Sequence, residues 1–233
     1  MTTTIAEPQA RFLNYKRIGF EAQRLLVEYA SEHAPIEAPP IPVEEMLERH
    51  LGLALSICNL GEVLGCADAL GALDVCSREV LVDQSLDPSD FPDLEGRYRF
   101  TLAHEIGHWW LHRHLYRQSE VEVPSFVMRA GGSKQRIERQ ADYFAACLLM
   151  PRPLVYQRWK ETLGGRVVTL SQLEPDREAI LEREIIRRGI APESPAAAEN
   201  MLFDWAVIPL ATEFCVSPMA MRIRLEELRL VVR

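Results

Sequence analysis

The stretch Thr101-Leu-Ala-His104-Glu105-Ile-Gly-His108 decides the reading of this chain. On an α-helix, residues i and i+4 share a face, about 6 Å apart along the axis. His104 and His108 can therefore each turn an imidazole toward one cation. Glu105 follows the first of them, where its carboxylate can take a proton from a water on that cation. His-Glu-x-x-His on a helix is the pattern of a zinc-dependent peptide hydrolase. Its histidines could also be ordinary core or surface side chains, and the flanks argue against that. Phe100, Leu102, Ala103, Ile106, Trp109 and Trp110 make the helix apolar on most sides. Such a helix is buried, and buried histidines and a buried glutamate need partners. One metal ion serves all three.

A catalytic zinc site normally has three protein ligands and one open position. Two residues compete for the third place. His114 stands where a metzincin has its third histidine, but the glycine that turns the chain in that pattern is here Leu111. As a helical continuation, His114 points away from the face of His104 and His108. Glu138 lies in Arg136-Ile-Glu138-Arg-Gln-Ala-Asp142-Tyr-Phe-Ala-Ala, a second helix that is mostly apolar on the far side of these acids. A buried acidic pair needs a cation, so Glu138 completes a two-histidine, one-glutamate set. Asp142, one turn later, can accept a hydrogen bond from the free nitrogen of a liganding histidine and fix its tautomer. His112 is i+4 from His108; as a fourth ligand it would close the position water needs, so packing or a hydrogen bond suits it better. A site of two histidines and a carboxylate also suits manganese, and ligand type alone does not choose between it and zinc.

With these residues in place, the chain resembles the ImmA/IrrE-type metallopeptidases, a gluzincin-like group. The resemblance rests on Arg99-Phe-Thr-Leu-Ala-His-Glu-Ile-Gly-His108, Leu111-His112, Glu138-Arg-Gln-Ala-Asp-Tyr-Phe-Ala145 and Leu148-Leu-Met-Pro151, with Pro40-Ile-Pro-Val-Glu-Glu-Met-Leu upstream. It covers residues 10 to 160. It implies a cytoplasmic bacterial protease that cuts helix-turn-helix repressors and so switches on stress or mobile-element genes. It implies zinc on His104, His108 and Glu138, with Glu105 as the catalytic base. The position of Asp142 is often asparagine in that family. Tyr116, His112, Tyr143 and Arg129 are the candidates for stabilising an oxyanion.

Composition agrees with a folded protein of this kind. Of 233 residues, 48% are hydrophobic and 26% charged, which suffices for a sizeable core. The formal net charge of −8 argues against a chain that wraps nucleic acid. No apolar run approaches the roughly 18 residues of a membrane span, and the first residues lack the basic and apolar regions of a signal peptide. The cysteines at 58, 66, 76, 147 and 215 are scattered, without CxxC spacing, and suit reduced thiols in a cytoplasm.

Periodicity and breakers predict an α+β fold, mainly helical, with a small antiparallel sheet. Helices are expected over residues 11–31, 43–50, 96–114, 134–150, 154–162 and 173–189. Strands are expected over 53–58, 69–76 and 79–82, the last two as a hairpin about Ser77-Arg78. An extended stretch over 121–128 could take a peptide as an added strand. The organisation read from this is a metallopeptidase domain over 1–160, a helical connector over 161–199 and a helix-turn-helix-like segment over 200–233. In that last segment Ser217 is an N-cap with Pro218 at the first helical position, and Cys215 stands where the turn usually has glycine. Residues 200–233 hold four arginines and four acids, a weak footprint for phosphate binding. A structural or substrate-docking role is therefore favoured over DNA. The rival to the protease reading is a DNA-binding regulator that uses the same fold as a sensor.

Overall fold

Asn14 opens the first helix by accepting a hydrogen bond from the backbone N–H of Arg17, and α1 runs over Tyr15–Glu32. This computed structural model describes residues 12–65, 68–117, 126–128 and 136–233. They form two compact units, Met1–Ile36 with Ile41–Leu149, and Glu37–Pro40 with Met150–Arg233. The fold is α+β and mainly helical, as the sequence predicts.

In the first unit α1 is followed by α2 (Val43–Glu45), which continues as a π-helical turn over Met46–His50. Next come β1 (Ala54–Cys58), α3 (Leu60–Leu64), β2 (Gly71–Asp74) and β3 (Glu79–Asp83). The long α4 (Glu95–Arg117), β4 (Phe126–Met128) and α5 (Arg136–Leu149) complete it. The sheet order is β1-β3-β2-β4. Strands β2 and β3 form the expected hairpin. The Asp74 carboxylate accepts from the backbone N–H groups of Cys76 and Ser77, and Arg78 takes a positive φ of 60°. The sheet is mixed rather than purely antiparallel, because β1 runs parallel to β3. Its cause is α3, which the sequence reading left out. The chain leaves β1 through this helix, and the hairpin then returns β3 in the direction of β1. Asn59 caps α3, and Asp83 at the end of β3 accepts from its first N–H, at 3.0 Å. Of the extended stretch expected over 121–128, residues 126–128 pair antiparallel with β2 as an edge strand; 121–125 lie outside the described residues.

The core of this unit joins α4, α5 and α1. Leu102, Ile106, Phe144, Ala145 and Leu148 are fully buried. Tyr15 of α1 stacks on Tyr143 of α5, with ring centroids 4.3 Å apart. Gly107 sets the spacing of α4 and α5: a Cβ there would lie 3.2 Å from the Ala141 Cα and carbonyl oxygen. The glycine of the HEIGH run is thus the point where the two site-bearing helices come closest.

The second unit comprises α6 (Arg152–Leu163), β5 (Val168–Thr169), α7 (Leu170–Leu173), α8 (Arg177–Arg188), α9 (Pro195–Ala206), α10 (Ile208–Glu213), α11 (Pro218–Glu227) and β6 (Val231–Val232). Strands β5 and β6 pair in parallel. Trp159, Phe203, Phe214, Met221 and Leu225 make its core. Helix α6, read from sequence together with the peptidase segment, packs within this unit. The stretch read as connector through residue 199 is helical from Pro195 onward. Ser194 accepts from Ala197 N–H at 3.1 Å, and Pro195 sits at the first helical position, where its missing N–H costs nothing. Ser217 and Pro218 do the same for α11, and Cys215 holds the positive φ of 49° in the turn before it. The arginines of α11 turn inward: Arg222 and Arg224 are buried. Arg222 donates to Asp204 at 2.7 Å, and Arg224 to the Met150 carbonyl and Glu227.

Candidate metal centre

Helix α4 carries His104, Glu105 and His108 with the spacing the sequence implies, and all three are buried to about 1% exposure. Helix α5 brings Glu138 and Asp142 to the same place. The His104 and His108 Nε2 atoms lie 3.0 Å apart. Glu138 Oε2 is 3.2 Å from the first and Glu138 Oε1 is 3.3 Å from the second. Two imidazole nitrogens from one helix and the two oxygens of one carboxylate from another thus converge within 3.0–3.3 Å. A tetrahedral zinc with ligand distances near 2.0 Å would separate its donors by about 3.3 Å. The residues fit the ion. Glu138 Oε2 is fully buried and has no hydrogen bond of good geometry, although His104 lies close by. A buried carboxylate oxygen without a hydrogen bond suits a cation ligand.

The far sides of the rings are also engaged. His104 Nδ1 meets Asp142 Oδ1 at 3.0 Å, so Asp142 holds the position the sequence gives it. His108 Nδ1 meets His112 Nδ1 at 3.3 Å, and His112 Nε2 meets Gln140 Oε1 at 2.8 Å. His112 is therefore in the site's surroundings, hydrogen-bonded at its helix position. His114 is exposed on the other side of α4, and the helix runs straight through it, as expected without a glycine at 111. Gln140 was missed by the sequence reading, and so was Gly71. A Cβ on Gly71 would fall 2.5 Å from Thr101 Cγ2 and 2.8 Å from Glu105 Oε1, so the start of β2 is bare where the Glu105 carboxylate lies against it. Among the oxyanion candidates, Tyr143 is stacked on Tyr15, Tyr116 lies near the end of α4, and Arg129 is outside the described residues.

Charge distribution follows from this packing. Burial opposes charge on His104, but hydrogen bonds to Asp142 and Glu138 and the charge of Glu105 outweigh it and raise its pKa to about 9. Burial would raise the Glu138 pKa, yet the His104 and His108 imidazoles facing it carry it well below the usual carboxylate range. His108 is pushed down by burial and by the charge of His104. His112 falls to about 4, through burial and then the charge of His108. These surroundings favour a charged His104 beside an ionised Glu138.

Residues 93–174, which span this site and continue into the second unit, match the family model described as the IrrE N-terminal-like domain, a peptidase family. Over this segment the chain is similar to that family. No curated protein sequence matches the chain. The IrrE-like domain holds all of His104, Glu105, His108, Glu138 and Asp142, and its family gives the chain a metallopeptidase type of function. Among the described residues, no helix is long and apolar enough to cross a membrane.

Proposed function

We propose that this chain is a zinc-dependent endopeptidase that cleaves a helix-turn-helix transcriptional repressor and so controls stress or mobile-element genes. The buried donor cluster carries the reading: two imidazole nitrogens 3.0 Å apart, each 3.2–3.3 Å from one oxygen of the Glu138 carboxylate, on helices that meet at a glycine contact. His104, His108 and Glu138 would hold the metal. Bound there, it supplies Lewis-acid activation of water and of the scissile carbonyl; manganese would supply the same chemistry.

The remaining work falls to the chain's own groups. Glu105 takes the proton of the attacking water and delivers it to the leaving amine. Asp142 accepts a hydrogen bond from His104 Nδ1–H and keeps that ring's Nε2 lone pair turned inward. The backbone around Gly71 limits where the Glu105 carboxylate can stand. β4 is an edge strand, and an extended peptide could add to its outer side.

The rival reading, a DNA-binding regulator, needs cations on the last helix. Arg222 and Arg224 are buried in ion pairs there, which favours a structural or protein-docking role for residues 200–233. Four cysteines among the described residues form no disulfide, which suits a reducing compartment such as the cytoplasm. The test is Glu105→Gln against a helix-turn-helix repressor. The wild type should cut it once or a few times, seen by mass spectrometry. The variant should bind zinc as the wild type does and leave the repressor intact. Cleavage by Glu105→Gln would remove Glu105 from its role; a wild type that binds no divalent metal would end the enzyme reading.

A further inference from the structure

Among the described residues, two clusters of three ligand-type side chains come close enough together to hold a metal ion. One is the centre on α4 and α5. The other is Glu32, His33 and His50, in the same unit at the C-terminal end of α1. The proposed peptidase chemistry makes no use of it.

α1 ends at His33, so the carbonyl end of an 18-residue helix, its negative pole, lies at this cluster. His50, the last residue of the π-helical turn, is the anchor. Its side chain is only 6% exposed, and its Nδ1 lies 3.0 Å from Glu32 Oε2. Buried Tyr29 supports both imidazoles: His33 stacks on it with centroids 4.7 Å apart, and His50 meets it edge-on at 5.9 Å. One ligand atom from each of the three residues lies within 4.8 Å of the other two. Donors around a tetrahedral ion at 2.0 Å stand about 3.3 Å apart. Glu32 and His50 are already at that spacing, and the exposed side chains of Glu32 and His33 can close the remainder by rotating toward His50. Glu45, the acid beside Tyr29, is held by Arg49 at 3.2 Å instead. A Glu32–His50 ion pair accounts for two of the three residues; His33 adds a second imidazole at the same point.

We propose that Glu32, His33 and His50 form a second divalent-metal site, separate from the centre on α4 and α5. Two imidazoles and a carboxylate suit zinc or a neighbouring first-row ion, with water completing the coordination. The Glu32 side chain is 63% exposed, so an ion must order it on binding, and this site is the weaker of the two. A bound ion joins the last turn of α1 to the turn over Met46–His50. α1 in turn touches both helices of the buried centre: Tyr15 stacks on Tyr143 of α5, and Glu21 accepts from Trp110 Nε1 of α4 at 3.2 Å. The ion therefore fastens the helix on which the peptidase helices lean.

The test titrates untagged, metal-free protein with zinc alone, in competition with a chromophoric chelator. The wild type should take two ions per chain. His33→Ala and Glu32→Gln, both at exposed side chains, should each weaken the second ion by at least about 10–100-fold, the loss that even an outer partner causes. The tighter ion should be unchanged in both. His104→Ala with His108→Ala should lose the tighter ion only, and zinc should then still shift the imidazole NMR signals of His33 and His50. A second ion that neither His33→Ala nor Glu32→Gln weakens overturns the proposal. So does a single ion that is lost only with His104 and His108. An ion lost in His33→Ala but kept without His104 and His108 would strike the metallopeptidase reading and leave this site standing. A wild type that takes no zinc overturns both.

Discussion

Replacing Gly71 by alanine separates the scaffold from the chemistry of this site. The new Cβ would sit 2.5 Å from Thr101 Cγ2 and 2.8 Å from Glu105 Oε1. Real Cβ atoms do not come so close, so both neighbours must move. Thr101 is β-branched, is fixed on α4, and its hydroxyl donates to the Arg97 carbonyl at 3.0 Å, so it has little freedom to turn. Overpacking of this kind costs about 1–3 kcal/mol. Glu105 can move by rotating its carboxylate, but a shift of about 1 Å in a catalytic group lowers turnover about 100-fold. Adding Thr101→Ser removes the clashing methyl and keeps the hydroxyl. The double variant should therefore regain most of the stability and little of the rate. Chemical denaturation and repressor cleavage, with zinc content measured alongside, read the two effects apart. If Gly71→Ala cleaves at the wild-type rate with zinc bound, the bare edge of β2 has no part in placing Glu105 and this reasoning fails.

Three further outcomes follow from the same geometry. Gly107→Val should destabilise the first unit by about 1–3 kcal/mol in denaturant, because its branches meet the α5 backbone at Ala141, which cannot rotate away. Asp204→Ala should cost about 3 kcal/mol, because it removes the 2.7 Å partner of the buried Arg222; a loss under about 0.5 kcal/mol would show that Glu226 alone satisfies that arginine. Metal-free protein should lose stability as pH rises from about 6.5 to about 9. His104 binds its proton more tightly folded than unfolded, so its contribution is full below 6.5 and gone above 9, about 3 kcal/mol in all. A melting temperature that climbs over that window would contradict the His104–Glu138 pairing.

What the sequence made legible was whatever a single helix expresses in its own period. His104 and His108 fall four apart, as do Glu138 and Asp142, and apolar neighbours mark both helices as buried. Caps with chemistry of their own were legible too, as at Ser217-Pro218. The same signal stood at Ser194-Pro195, but the alanines after it were read as linker because they carry no amphipathic pattern. They need none, since α9 is buried by Met201, Leu202 and Phe203 further along. Helix α3 was lost between two strands for want of length, and with it the parallel pairing of β1.

Features that depend on a partner across the fold leave no such trace. Gly71 looks like any glycine at the start of a strand; its meaning is the volume of Glu105, which lies 34 positions later and meets it only when β2 packs on α4. Gln140 reads as one polar residue between two acids on a helix. Its importance comes from His112, a residue on another helix whose own partner is a ligand. Periodicity states which way a side chain points, whereas a hydrogen-bonded chain requires knowing what stands opposite at each link. The candidate ligands could therefore be placed from helix spacing and apolar flanks, while the groups hydrogen-bonded behind them could not. Those groups are bound to the ligands by geometry of 2.8–3.3 Å, and that geometry exists only once α4 and α5 have closed on Gly107.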